Sequence, residues 1–78
     1  MNEFSPEQTA EHLAGLQASV DLINSLMSEN DKSQENKDTM DRNVRHIHIM
    51  CAMDHIKNSG ADLAPFVAAA SAGAQWLA

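Results

Sequence analysis

Leu13, Leu16, Val20, Ile23 and Met27 recur at intervals of three, four, three and four residues. Only a helix gathers such positions into one stripe, because a strand turns successive side chains to opposite faces. The spacing predicts a helix over 6–27 with a heptad-like apolar seam, about 33 Å long. Its start is marked by Ser5-Pro6-Glu7-Gln8. Ser5 can cap the free amides, Pro6 has the φ of a first turn, and Gln8 can close a capping box. Leu22 and Leu26 widen the stripe toward its carboxyl end.

An apolar stripe has to be covered, and the rest of the chain supplies the cover. Ser28–Thr39 carries no apolar side chain in twelve residues. This predicts a turn near 28–32 and a polar tip over 28–39, with the first turns of a second helix standing in water. One uninterrupted rod over 6–58 is the alternative, but it would place Asn30, Gln34, Lys37 and Asp41 in the seam. The second helix is expected over 33–58 and carries two stripes. Met40, Val44, Ile47 and Cys51 form one; Ile49, Met53 and Ile56 form the other, nearly opposite, with Met50 between them. A helix apolar on both sides needs a neighbour on both sides. Ser59-Gly60 supplies its stop.

A third helix is expected over 63–77, after the capping Asp62 and with Pro65 in its first turn. Leu63, Phe66, Val67, Ala70, Ala74 and Leu77 share a face bordered by Gly73, and the small residues permit close packing. The expected fold class is therefore all-α: an antiparallel helical hairpin plus a C-terminal third helix, three-helix-bundle-like, as a single domain over 1–78. At 78 residues a core rarely supplies more than about 3–5 kcal/mol of net stability. One cysteine excludes an internal disulfide as a staple. The third face is built largely of alanine, with Phe66, Val67 and Leu77 its only large members beyond Leu63, and set against Ile49–Met53–Ile56 it points to completion of the fold by dimerisation.

Charge and composition narrow the function. Eleven acidic residues against five basic ones give a net charge of −6, which disfavours nucleic acid and anionic membranes as partners. Residues 1–11 lack the basic, apolar pattern of a secretory signal, and the uncharged run Leu63–Ala78 is too short and alanine-rich for a transmembrane helix, so the cytoplasm is the expected compartment.

For metal chemistry the weak candidates are His48, Cys51 and His55, which a continuous helix would place on one face. His48 and His55 would stand about 10.5 Å apart along its axis, too far to share an ion. Cys51 with either one is the workable pair, and His12 or Glu11 would have to complete it. The simpler expectation is no metal, no cofactor and no catalytic residue. Cys51 lies in a seam, where a thiol acts as a small apolar group, and no phosphate loop, GxSxG or ExxH occurs. The expected function is a small acidic helical protein–protein interaction module, non-enzymatic and homodimeric, with Ile49, Met50, Met53, Ile56, Phe66 and Trp76 at the interface. The alternative is a small acidic inhibitor or regulator presenting carboxylates to a basic partner, such as an accessory protein of a phage or mobile element. A metal-binding helical protein is third.

Overall fold

A computed structural model describes residues 4–78. Four helices pack together and no strand occurs among the described residues: α1 (Pro6–Glu29), α2 (Gln34–Cys51), α3 (Asp54–Lys57) and α4 (Ala64–Leu77). The helix α1 begins as its sequence signals require. The Ser5 hydroxyl accepts from the Gln8 amide at 3.1 Å, and the Gln8 side chain accepts from the Ser5 amide at 2.9 Å. It ends where Asn30 enters the left-handed region, at φ 51°. That turn excludes the uninterrupted rod.

Ser33 caps α2 by accepting from the Asn36 amide at 3.2 Å. The link between the helices is knitted by its own side chains. Asp31 accepts from the Ser33 amide, and the Asn36 carboxamide donates to the Asp31 carbonyl at 2.8 Å. A polar segment thus satisfies its own backbone without apolar cover.

The main departure from the sequence reading lies at Ala52–Met53. The helix expected over 33–58 stops at Cys51, and Met53 is extended at φ −78°, ψ 139°. No glycine or proline marks this break. Its physical reason is the second apolar stripe: continued as a helix, Ile49, Met53 and Ile56 would all face away from the α1 side. The bend turns Ile56 inward until none of its surface is exposed, while Ile49 stays 64% exposed. Burying such a side chain is worth about 1.5–3 kcal/mol, more than the helix hydrogen bonds that the kink disturbs. The amides of Ala52 and Met53 keep partners by tightening onto the carbonyls of Ile49 and Met50.

The core joins Leu16, Ile23 and Leu26 of α1, Met40, Val44 and Ile47 of α2, Ile56 of α3, and Phe66 and Ala70 of α4. On α1 the innermost line is Leu16, Ser19, Ile23 and Leu26, one step round from the expected seam; Leu13, Val20 and Met27 flank it half-buried. The helix α4 approaches α1 and α2 through Gly73. A Cβ at that position would lie 2.8 Å from both Met40 Sδ and Val44 Cγ2, and 3.4 Å from Ile23 Cγ2. The small-residue face therefore serves contact within the chain.

Candidate functional site

The polar side chains that the fold brings together from distant positions lie along α1. Near its start, His12 Nδ1 lies 2.7 Å from His55 Nε2, across 43 positions of sequence. The kink after Cys51 makes this contact, since it carries α3 back against the first turns of α1. Phe4 completes the cluster, stacking on the His55 ring at 4.0 Å between centroids and meeting the His12 ring edge-on at 5.1 Å. Two shallow grooves flank it. One, of about 360 Å³, is lined by Phe4, Ala52, Met53, Asp54 and His55. The other, of about 450 Å³, runs past Phe4, Pro6, Thr9, Leu13, His55 and Ser59.

Two turns further along α1, the Ser19 hydroxyl lies 2.8 Å from His46 Nδ1. Ser19 is only 5% exposed, and the imidazole satisfies an oxygen that the core would otherwise leave unpaired. A serine beside a histidine invites a nucleophilic reading. Burial argues against it, since only 5% of the Ser19 surface is exposed.

The three metal candidates are not assembled. His48 is exposed on α2, Cys51 ends that helix half-buried, and His55 belongs to α3 and faces His12. A register drawn from the turn near residue 30 puts His12 opposite His48; Ser19 facing His46 shows a register displaced by several residues, and His12 meets His55 instead. No group of three or more His, Cys, Asp or Glu side chains able to hold an ion occurs among the described residues. Burial raises the Cys51 thiol above its ordinary 9.0, which keeps it protonated and poorly nucleophilic at neutral pH.

The expected interface residues are dispersed. Ile56 and Phe66 are buried in the core, Met50 and Met53 are half-buried against it, and Ile49 stands in solvent. Trp76 is also half-buried. Lys32 donates to its carbonyl at 2.8 Å and lies 5.0 Å above its ring, closing the end of the bundle remote from the histidines. The indole Nε1 is buried and has no acceptor among the described residues. Among the described residues the remaining exposed large apolar side chains are Leu22, at 40%, and Val67, at 47%.

The solvent face of α1 is of one sign. Glu7, Glu11, Asp21 and Glu29 are all exposed, and the helix contains neither Lys nor Arg. At 100° per residue these four carboxylates fall within about 80° of one another. Ala14 and Ala18, exposed between them, keep that face low. By contrast α2 mixes its charges, with Arg45 paired to Asp41 at 3.0 Å. No helix among the described residues is long and apolar enough to cross a membrane. Comparison of the chain with protein-family models, curated proteins and solved structures finds no match.

Proposed function

We propose that this chain is a non-enzymatic protein–protein interaction module that presents the carboxylates of α1 to a basic surface of a protein partner. The observation that carries this reading is the unmixed face of Glu7, Glu11, Asp21 and Glu29, which runs about 33 Å along the helix at 1.5 Å per residue. A face of one sign speeds encounter with an oppositely charged partner and rejects others of its own sign. The alanines between the carboxylates let a partner backbone approach, and Leu22 at the edge adds apolar contact.

The test is comparative capture from a lysate of the source cells. The parent chain should retain proteins that a Glu7→Gln, Glu11→Gln, Asp21→Asn, Glu29→Gln chain does not, and should lose them in high salt. Capture of the same proteins by both chains, unaffected by salt, refutes the reading.

A homodimer is the second reading, and Ile49 and Val67 favour it. Contact of Gly73 with Met40 and Val44 sets Val67 level with about residue 48 of α2 on an antiparallel register, so the two exposed side chains stand at one height of the bundle. Ile56 itself needs no second copy, because the kink after Cys51 buries it within the chain. Light scattering separates the readings: a mass of twice 8.5 kDa, halved by Ile49→Asp, supports the dimer.

A further inference from the structure

We propose that His12 and His55 form a proton-operated latch that holds α3 and Phe4 against α1 and lets go when both rings are charged. The geometry allows one proton on the pair and forbids two. At 2.7 Å the contact is a hydrogen bond, which needs one N–H and one lone pair. Two neutral imidazoles supply both, and so does an imidazolium facing an imidazole. Two imidazolium rings leave no lone pair and set like charges against each other in a half-buried site.

Nothing among the described residues offsets the second charge. The charged neighbours on α1 are Glu7 and Glu11, and those on α3 are Asp54 and Lys57. All four are exposed, and no described carboxylate forms an ion pair with either ring. The groove residues Asn58 and Ser59 are uncharged, and Phe4 offers a ring face, which favours one cation beside it and supplies no counter-charge. The other two histidines lack this constraint. His46 faces a hydroxyl that can accept from a charged ring, and His48 is exposed. Opening at His12–His55 would uncover Leu13 and Ile56 at one end of the bundle, while the Lys32–Trp76 end stays closed.

The sign follows from proton counting. An open state with two separated rings can take up two protons, whereas the closed pair holds one. The opening constant should therefore grow with acid, by at most about tenfold per pH unit for the one extra proton. The test is amide hydrogen exchange on the full chain from pH 7.5 to pH 5, corrected for intrinsic rates. The Lys57 and Asn58 amides, bonded to the carbonyls of Met53 and Asp54, report α3. The Asn30 amide and Trp76 fluorescence report the far end. The expected result is a rise in Lys57 and Asn58 opening with acid, a steady far end, and no rise in His12→Gln or in His55→Gln. The proposal is overturned if opening does not rise, if it rises equally in whichever variant folds, or if Trp76 changes in step with α3.

Discussion

Replacing Gly73 with alanine tests whether α4 is seated by close approach. Alanine is the better helix former by about 1 kcal/mol, so propensity alone predicts a more stable protein. The structure predicts the reverse. The new methyl carbon would stand 2.8 Å from Met40 Sδ and from Val44 Cγ2, with Ile23 Cγ2 at 3.4 Å on the third side. Overpacking a filled core costs about 1–3 kcal/mol. Val44 is stiff about χ1, and the Met40 sulfur sits mid-chain in a side chain with no exposed surface, which puts the cost in the upper half of that range. Subtracting the helix gain leaves a net loss of about 1–2 kcal/mol, or a Tm lower by about 5–15 °C for a chain this short. Thermal and urea melts followed by circular dichroism measure it. Ala74→Gly, at an exposed position of the same helix, calibrates the propensity term and should lose about 1 kcal/mol. Combining Gly73→Ala with Val44→Ala should cost less than the sum of the two, since each relieves the other. A Gly73→Ala chain that melts at or above the parent, with Ala74→Gly behaving as expected, refutes the argument.

The two ends of the divided stripe should respond differently: Ile56→Ala should cost about 2–5 kcal/mol, while Ile49→Ala should stay within about 0.5 kcal/mol of the parent in the same melts. Ser5→Ala removes the oxygen that caps the Gln8 amide, so α1 should lose about 1 kcal/mol and the Gln8 amide should exchange faster with solvent. For Cys51, whose thiol burial pushes above 9.0, the unfolded chain gives up its proton first. The stability this contributes is whole below pH 9 and falls as pH rises beyond it. Melts of the parent and Cys51→Ala from about pH 8 to about pH 10 should therefore diverge, with the parent losing more.

Local chemistry was legible in the sequence and long-range rescue was not. Ser5 and Gln8 act where capping rules place them, because a cap depends on amides within three residues. The stop at Cys51 depends on where a distant core accepts Ile56, and no residue near Ala52 announces it. Ser19 facing His46 places the reversal of the chain past residue 30, so a register counted from that turn misplaced the partner of His12. Ser19 shows a different failure. A seam sought by apolar character passes over a serine, yet Leu16, Ser19, Ile23 and Leu26 keep helical spacing and bury more deeply than the line first drawn. The sign that could have found it is the histidine across the interface at His46, a partner for a buried hydroxyl. The unmixed charge of α1 was present in the sequence but emerges only when its angular spread is worked out.

The seating of Gly73 also bears on the order in which the protein can be made. Ribosomal synthesis delivers α1 and α2 first, at about 5–20 residues per second, and α4 follows them. Until Phe66, Ala70 and Gly73 have emerged, Ile23, Met40 and Val44 lack the helix that seals them from water. The nascent chain is therefore expected to wait as an incomplete pair of helices with an apolar trough along one side. During that interval it is a substrate for chaperones and proteases, and a stalled or truncated product missing α4 would be cleared instead of accumulating.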